Sequence, residues 1–510
     1  MTKNSSAQGT ATHQAADDRL AGYGETAPAR EHLDVVVVGA GMAGLYALHK
    51  LREAGLRAVA LEAEAGVGGT WYRNRYPGAR CDVESMFYSF SFSPELEQEW
   101  EWTEKFATQP EILRYLEHVA DRFDLRRDVR TSTRVDFLEF DEDRGRWLVR
   151  TDTGAELDAQ FCIIATGCLS VPKMPEIPGV SSFRGLSHHT AQWPHGGVDF
   201  TGLRVGVIGT GSSGLQSIPL IAEQAAALTV FQRTPVYTTP ALNRPLEAAD
   251  VEPIKAAYDE LRELTRTSPF GVPALPSTRS ALEVDADERE RVYEDAYQVG
   301  GLFAVPYSFA DIQITQEAND TAAEFLRGKI RSLVADPVVA ELLCPTDYPY
   351  ACKRPCLDTG YYETFNRDNV ELVDLRATPI TRIMPAGVET TAGLHELDAI
   401  VYATGFDAIT GALAAVDIRG RGGLALADKW ATGWRSYLGL AVAGFPNLFT
   451  VTGPGSPSVI SNMIVSIEQH VDWITDALTT ARSEGNDVIE ATEDAERDWV
   501  EHVAEVGDLT

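Results

Sequence analysis

This 510-residue chain is poor in cysteine, in basic residues and in long apolar runs. Its six cysteines form no C-x-x-C pair and no zinc-ligand spacing, so no redox-active pair and no metal site is predicted, and free thiols in a reducing cytoplasm are expected. Lys and Arg number 44 against 75 Asp and Glu, and a net charge of −31 argues against nucleic acid or anionic membrane as a partner. No uncharged apolar run reaches about 18 residues, so no membrane span is predicted.

The first 32 residues are polar and rich in Gly, Ala, Ser and Thr, without an apolar core of the kind a signal peptide carries. We therefore expect a disordered leader at 1–32 and a cytoplasmic protein. The remainder has the composition of a soluble globular protein, and its length predicts two or three domains.

One feature occurs twice: an apolar, strand-like run enters a glycine-rich turn that opens a helix. The first turn has the pattern G-x-G-x-x-G at Gly39, Gly41 and Gly44, and the second repeats it after 209 − 39 = 170 residues. Such turns let a pyrophosphate approach the backbone, and the helix N-terminus supplies N–H donors to it. The pattern predicts two dinucleotide sites, the second of which contains Gly209, Gly211, Ser212, Ser213 and Gly214.

Two shorter segments, 161–167 and 400–405, each combine an apolar run with Ala-Thr-Gly. Each is typical of a strand that returns to a nucleotide-binding sheet, and their positions predict nesting. We expect an α/β protein with two Rossmann-like domains, the first at 33–168 and 397–510 and the second at 169–396. Amphipathic, charged segments predict a helical insertion at about 242–345, in which one helix begins at a Thr321/Glu324 capping box.

The residue that ends the second strand of each unit distinguishes the two cofactors. Glu62 lies 62 − 44 = 18 residues past its last fingerprint glycine, where a carboxylate accepts hydrogen bonds from ribose hydroxyls, as FAD or NAD requires. Gln232 lies 232 − 214 = 18 residues past the other, and Arg233 and Thr234 follow it. A guanidinium there favours a 2′-phosphate, unless Arg233 is a mere surface charge. We expect FAD in the first site and NADPH in the second.

Between the two glycine turns lies the pattern F-x-G-x-x-x-H-x-x-x-W-P, formed by Phe183, Gly185, His189, Trp193 and Pro194. A second pattern, G-G-x-W-x-x-x-x-Y-P-G-x-x-x-D, runs from 68 to 82. Over residues 33–510 the chain resembles type I Baeyer–Villiger monooxygenases, most closely the branch that oxidises phenylacetone, steroid and large-ring ketones.

The resemblance implies that NADPH reduces FAD and that O₂ then forms a C4a-peroxyflavin, which inserts one oxygen beside a ketone carbonyl to give an ester or lactone. It assigns Arg354 to stabilising the anionic species, as a cation that keeps its proton, and Asp82 to orienting that guanidinium. Lys353 becomes a second contact to the 2′-phosphate, and His189 a residue of domain coupling rather than a base. The resemblance also implies that Arg354 contacts NADP. The implied FAD contacts include Gly69, Thr70, Trp71, Asp82 and Tyr88, and the implied substrate contacts are Ser458, Val459 and Met463.

Three alternatives stay open. A flavin monooxygenase that oxidises nitrogen or sulfur has the same two cofactor sites, although it has no need of Arg354. A catalytically idle protein that binds FAD and NADPH is the second, and an ordinary surface ion pair between Asp82 and Arg354 is the third. Members of the family usually continue into a Trp-, Tyr- and Gly-rich tail that closes over NADP, which this sequence lacks; we expect weaker NADP⁺ retention and a monomer.

Overall fold

The computed structural model describes residues 30–456 and 461–508. Almost all of the predicted leader, and the predicted substrate contacts Ser458 and Val459, lie outside these residues. The strands are β1 Glu31–Val38, β2 Ala58–Leu61, β3 Val129–Arg130, β4 Val135–Asp141, β5 Arg146–Thr151, β6 Glu156–Ile164, β7 Leu186–His189, β8 Arg204–Ile208, β9 Ala227–Gln232, β10 Thr238–Pro240, β11 Cys356–Asp358, β12 Val370–Asp374, β13 Ile380–Met384, β14 Gly387–Thr390, β15 Gly393–Glu396, β16 Ala399–Tyr402, β17 Asp417–Arg419 and β18 Leu448–Thr450. The helices are α1 Met42–Glu53, α2 Thr70–Arg73, α3 Pro94–Glu99, α4 Gln109–Arg122, α5 Ser212–Gln224, α6 Ala248–Ala256, α7 Tyr258–Thr267, α8 Ala286–Val299, α9 Gln316–Leu333, α10 Pro337–Leu343, α11 Tyr361–Thr364, α12 Gly411–Ala414, α13 Leu426–Lys429, α14 Met463–Glu484 and α15 Glu493–Gly507.

The first sheet has the order β17-β4-β5-β6-β1-β2-β3. Strand β1, with its run of four valines, is buried on both faces and pairs in parallel with β2 and β6, as a strand between two helical layers does. The long strand β6 has different partners along its length: β5 runs antiparallel to its beginning and β18 parallel to its end. The predicted return of 161–167 to the first sheet is therefore confirmed.

The second sheet is entirely parallel, with the order β12-β9-β8-β16-β7. Strand β16 pairs with β8, as β6 pairs with β1, so the predicted similarity of the two Ala-Thr-Gly strands holds in space. This position corrects the predicted boundary at 397. The chain after 397 first completes the second sheet, and it rejoins the first sheet only with β17, which pairs with β4.

In the segment 242–345 the regular secondary structure is helical, α6 to α10. The α9 helix was predicted to begin at Thr321, but it begins at Gln316, where the Thr315 side chain accepts a hydrogen bond from the Ala318 N–H. Thr321 lies inside the helix, and its hydroxyl donates to the Ala318 carbonyl. The hydroxyl of Tyr293 on α8 lies 2.7 Å from that of Thr321. A Thr-x-x-Glu pattern inside a helix thus imitated a helix start.

Separate apolar cores lie within the two sheets and the helical insertion. Helix α14 packs against α1 and buries Ile464, Ile467, Val471, Ile474 and Leu478 in the first core. It begins at Asn462, whose side chain accepts a hydrogen bond from the Ile464 N–H, and it ends at Gly485, which has φ 75°. Among the described residues, no helix combines the length and apolar composition that a bilayer span requires.

Candidate active site

The first glycine turn is built for close approach of a ligand to the backbone. Gly39 has φ 105°, and a Cβ there would lie 2.7 Å from the Ala165 carbonyl oxygen, where β6 ends. A Cβ on Gly44 would lie 2.0 Å from the Gly39 carbonyl oxygen, so α1 packs directly on the turn. Gly41 precedes α1, and among the described side chains none caps its N-terminal N–H groups. These donors suit a pyrophosphate.

Glu62 closes the same turn from the end of β2. Its carboxylate accepts hydrogen bonds from the Ala40 N–H at 2.7 Å and the Glu64 N–H at 2.8 Å. Its side chain is buried, and this burial raises the pKa of Glu62 despite the two backbone donors. Each carboxylate oxygen keeps a second lone pair, which is what a ribose hydroxyl requires.

A cavity of about 460 Å³ begins at this turn. Its lining includes most of the predicted FAD contacts, together with the predicted substrate contact Met463 at the start of α14; these FAD contacts are Gly39, Gly41, Glu62, Gly69, Thr70, Trp71 and Tyr88. The Trp71 indole N–H donates to the Tyr88 hydroxyl at 3.2 Å, and the two rings pack edge to face. Burial raises the pKa of Tyr88 well above its usual value, so its hydroxyl stays protonated.

The cavity also contains residues that the sequence analysis missed. The Asn74 side chain donates to the Thr70 carbonyl at 2.9 Å, while its Oδ1 atom is buried without a hydrogen-bond partner. Arg73 pairs with Glu64 and donates to the Ser170 carbonyl. A buried, unsatisfied oxygen in the wall of a cavity is expected where a ligand supplies the missing donor, so the cavity fits FAD. Both residues lie inside the 68–82 family pattern, and this position in the sequence could have identified them.

The second glycine turn repeats the first. Gly209 has φ 107°, and a Cβ there would lie 2.5 Å from the Ala403 carbonyl oxygen at the end of β16. A Cβ on Gly214 would meet the Gly209 carbonyl oxygen at 2.3 Å. Gly211 faces open space, and within the described chain no side chain caps the α5 N-terminus that it opens. Ser212 and Ser213 form the first turn of α5, so the residues fit a second dinucleotide.

The predicted 2′-phosphate contacts lie where β9 ends. Gln232 is buried and donates to the Leu342 carbonyl at 2.7 Å, whereas the next residue, Arg233, is exposed. The Thr234 carbonyl accepts a hydrogen bond from Thr210 in the glycine turn. Lys353 is also exposed, and its Nζ atom lies 4.2 Å from the centre of the Tyr348 ring. At the position that Glu62 occupies in the first site, the second site therefore has the buried, neutral Gln232, with the exposed cations Arg233 and Lys353 available to a 2′-phosphate.

Arg354 and Asp82 come together although 272 residues separate them. The guanidinium donates through Nε at 2.7 Å and through Nη2 at 2.9 Å to the two carboxylate oxygens, a forked pair of charge-assisted bonds. Burial lowers the pKa of Arg354, but the neighbouring Asp82 carboxylate outweighs this effect, so the pKa lies above its ordinary value. The arginine remains a cation at every relevant pH.

The loops that carry these two side chains are held by neighbouring elements. Strand β11, which follows the Arg354 loop, pairs with β10 in a separate two-stranded sheet, and its Cys356 thiol lies 3.3 Å from the Ser212 hydroxyl at the start of α5. The Asp82 loop is held against the start of α4: the Cys81 N–H donates to the Ala107 carbonyl, and the Gln109 N–H donates to the Ala79 carbonyl. The pair therefore lies at the junction of the two dinucleotide-binding sheets.

The Asp82 loop also packs on α5 of the second sheet. The Tyr76 hydroxyl donates to the Gln216 side chain at 2.8 Å, and the Gln216 amide donates to the Arg80 carbonyl at 3.2 Å. A Cβ on Gly78 would lie 2.2 Å from the Gln216 carbonyl oxygen. Tyr76 and Gly78 of the 68–82 pattern thus contact helix α5 of the second unit.

His189 has a fixed tautomer in the structure. Its Nδ1 atom accepts the Ala191 N–H at 3.0 Å, and its Nε2 lies 3.2 Å from the hydroxyl of Thr404, which itself donates to the Lys173 carbonyl. Burial lowers the pKa of His189, in keeping with a neutral ring. The ring joins β7 to the Ala-Thr-Gly loop that follows β16, and the structure does not place it beside Arg354.

Three other members of the same pattern, Phe183, Gly185 and Trp193, pack within the second unit. Trp193 is buried in the core of the second sheet and packs near Phe200. A Cβ on Gly185 would lie 2.2 Å from the Asp398 carbonyl oxygen, and Phe183 packs beside it against the apolar residues under β13 and β14. The pattern therefore fixes the path of the chain between the two sheets.

Comparison with known proteins identifies the family. A family model described as pyridine nucleotide-disulphide oxidoreductase matches residues 36–290. A Baeyer–Villiger monooxygenase of Pseudooceanicola batsensis is 44% identical over 480 residues, which cover 94% of this chain and 87% of that protein. Two similar solved structures are an oxidized steroid monooxygenase bound to NADP (56% identity, TM-score 0.91) and the OTEMO complex with FAD and NADP (42% identity, TM-score 0.91). Each alignment covers 94% of this chain and 91% of the other.

Fold and site define a flavoprotein oxidoreductase with two dinucleotide-binding units, one for FAD and one for NADP. Within that class, the chain belongs to the Baeyer–Villiger monooxygenase family. The predicted family, α/β fold, enzyme class and pair of cofactors are thereby confirmed.

One relative differs in its reaction. A phenazine N-monooxygenase of Lysobacter antibioticus is 42% identical over 484 residues, which cover 94% of this chain and 88% of that protein. Similarity at this level therefore includes an enzyme named for oxygenation at nitrogen.

Proposed function

We propose that Arg354 and Asp82 form the catalytic pair that lets this monooxygenase convert a ketone into an ester or lactone. The observation that carries the proposal is the forked ion pair, which fixes a cation at the junction of the FAD and NADP units. Bound FAD accepts hydride from NADPH and activates O₂. The chain must then stabilise negative charge on the oxygen that attacks the ketone, and a preorganised guanidinium does so without reorganisation.

Asp82 acts through Arg354. It occupies Nε and Nη2 of the guanidinium, so the plane and direction of the remaining N–H groups are fixed. Its side chain is about one-third exposed, and that of Arg354 is less so, which leaves the pair reachable by a substrate. A lysine cannot form the same two bonds, which is why arginine suits this position.

For the cofactors we propose the following contacts. Gly39, Gly41 and Gly44 would hold the pyrophosphate of FAD and Glu62 its ribose, and Gly69, Thr70, Trp71, Tyr88 and Asp82 would contact its flavin. Gly209, Gly211, Ser212, Ser213 and Gly214 would hold the pyrophosphate of NADP, Arg233, Thr234 and Lys353 would hold its 2′-phosphate, and Arg354 would contact NADP as well. Residues 33–168 with 406–510 then form the FAD domain, and 169–405 form the NADP domain with its helical insertion.

The substrate we propose is a bulky ketone, with steroid ketones as the first candidates. Identity to the steroid monooxygenase is 56%, against 42–44% for the other relatives named here. Met463 lines the cavity at the start of α14. The family resemblance also assigns Ser458 and Val459 to substrate binding, and both lie outside the described residues. A panel of steroid, aromatic and cyclic ketones, assayed for ester formation, tests this. Conversion of small cyclic ketones alone would contradict it.

Oxygenation at nitrogen is the second candidate, favoured by the phenazine N-monooxygenase relative. The two reactions place different demands on Arg354, because attack on an amine nitrogen requires no stabilised peroxide anion. Incubation with a ketone and with a phenazine in parallel, using the wild type and Arg354→Ala, separates them. We expect ester only from the wild type; an N-oxide made equally by both proteins would establish the second function.

We further propose that the protein is a cytoplasmic monomer. Its six cysteines are all free thiols, five of them buried, as in proteins of reducing compartments. A net charge of −31 opposes self-association. Light scattering after gel filtration tests the oligomeric state, and a mass near twice 55.6 kDa would contradict it.

A further inference from the structure

We propose that Arg376 is a positioning residue for NADPH: it joins the two segments of chain that carry Arg233 and Lys353 and neutralises the acid between them. The inference rests on the assignment of those two cations to the 2′-phosphate made above. Arg376 lies outside the two glycine turns and outside the family patterns at 68–82 and 183–194.

Arg376 lies at the same edge of the second sheet as Arg233. Strand β12 runs parallel to β9, and its last residue, Asp374, is in register with Gln232. The Leu375 N–H then donates to the Gln232 carbonyl at 2.8 Å. Arg376 therefore leaves the sheet beside the residue that follows Gln232.

The Arg376 side chain has partners in both segments. Its Nε donates to the Arg233 carbonyl at 2.7 Å. Its Nη1 donates to the Asp347 carboxylate at 3.2 Å, and its Nη2 donates to the other carboxylate oxygen. One planar guanidinium thus spans from the end of β9 to the loop that follows α10, a geometry that the flexible stem of a lysine does not reproduce.

The loop reached in this way leads to Lys353. Tyr348, the residue after Asp347, lies beneath the Lys353 ammonium at 4.2 Å from ring centre to Nζ. The Tyr348 hydroxyl donates to the Pro235 carbonyl at 3.1 Å, so a second bond joins the same two segments. The backbone of Arg233 and the Tyr348 ring beneath Lys353 are therefore held in fixed positions relative to each other.

Charge supports the same role. Asp347 is about half exposed, and without a partner its carboxylate would repel a 2′-phosphate held by Arg233 and Lys353. Arg376 cancels that charge. An exposed ion pair contributes little to stability, so we expect its effect in ligand discrimination rather than in folding.

The test is calorimetric titration of the FAD-containing protein with 2′,5′-ADP and with 5′-AMP, which differ by the 2′-phosphate. For Arg376→Met we expect the Kd of 2′,5′-ADP to rise about tenfold, because a displaced Arg233 or Lys353 weakens its charge-assisted contact to the 2′-phosphate, while the Kd of 5′-AMP changes less than about twofold. Arg376→Lys should recover only part of this. The matched control is Arg382→Met, an exposed arginine on β13 that pairs with Glu389 and should leave both Kd values unchanged.

Two further variants decide the interpretation. Asp347→Asn removes the anchor of the guanidinium, so a positioning role predicts weaker binding of 2′,5′-ADP, about threefold. Tighter binding would mean that Arg376 acts by charge alone and would overturn the proposal, as would equal effects of Arg376→Met and Arg382→Met. Arg233→Met tests the assigned 2′-phosphate site itself. If both Arg233→Met and Arg376→Met leave the Kd of 2′,5′-ADP unchanged, the assigned site is wrong. If Arg233→Met weakens binding of 2′,5′-ADP and Arg376→Met does not, only the role of Arg376 is refuted. If Arg376→Met does not retain FAD, Arg376→Lys and Asp347→Asn test the same role.

Discussion

Replacing Arg354 by alanine removes the cation at the junction of the two sheets and leaves Asp82 without the two hydrogen bonds, at 2.7 and 2.9 Å, that the guanidinium donates. Reduction of FAD depends on how NADPH is placed, so we expect the variant to hold FAD and to be reduced by NADPH, although more slowly. Oxygen insertion depends on stabilised negative charge, so we expect ester formation to collapse and hydrogen peroxide to appear in its place.

The magnitude follows from the setting of the pair. Loss of one neutral oxyanion donor typically costs about 10²–10³ in rate, and a full cation in a partly buried site should cost at least as much. Arg354 is about one-quarter exposed, so solvent screens its charge only in part. Arg354→Lys keeps the charge but not the fork to Asp82, and we expect it to recover less than about tenfold.

The assay is a pair of measurements on one preparation: stopped-flow reduction of FAD by NADPH, and ester formed per NADPH consumed, by gas chromatography. Asp82→Asn is the companion variant, which leaves the cation in place but no longer fixes its direction. Ester formation by Arg354→Ala within about tenfold of the wild type, a barrier change of only about 1.4 kcal/mol, would remove this arginine from the mechanism.

Three further expectations follow from the same structure. Glu62→Ala leaves the buried Ala40 N–H without its acceptor and should release FAD on gel filtration, with Glu62→Gln retaining more; full FAD occupancy in both would contradict the ribose role. Arg233→Ala should raise KM for NADPH about 10- to 150-fold and leave NADH nearly unchanged, and equal losses with both cofactors would make the arginine structural. Burial lowers the pKa of His470, whose Nδ1 accepts the Thr452 N–H, to about 4. Below about pH 6.5 the His470 imidazole is therefore protonated in the unfolded chain but stays neutral in the folded protein. The free energy of unfolding falls by roughly 2 kcal/mol between pH 7.5 and pH 5 as a result. His470→Asn should flatten this slope in urea unfolding at the two pH values, and an unchanged slope would refute it.

The sequence predicted the parts of the fold that local pattern specifies. A run of valines before a glycine turn, as at 35–41, predicts a buried parallel strand and the helix after it, and the structure has this strand, turn and helix at both predicted places. The residue types of Glu62 and Gln232 distinguished the two sites because each ends a strand at the same offset. The family patterns supplied Asp82 and Arg354, which 272 residues separate and which no local rule connects.

What the sequence did not show depends on strand order. The strand at 399–402 has the pattern of a returning strand, but pattern does not say to which of two similar sheets it returns, and hence the boundary at 397 was wrong. Arg376 was missed for the same reason, since its role requires knowing that β12 lies beside β9. The unsatisfied oxygen of Asn74 becomes visible only once the cavity wall has been assembled.

The contact of Gly78 and Tyr76 with α5 couples the position of Asp82 to the position of the NADP unit. Because the Gln216 backbone lies against Gly78, with no room for even a methyl group, α5 cannot turn relative to the first sheet without displacing the loop that ends at Asp82. Any relative movement of the two units would therefore also displace Asp82, and with it the forked ion pair that orients the Arg354 guanidinium.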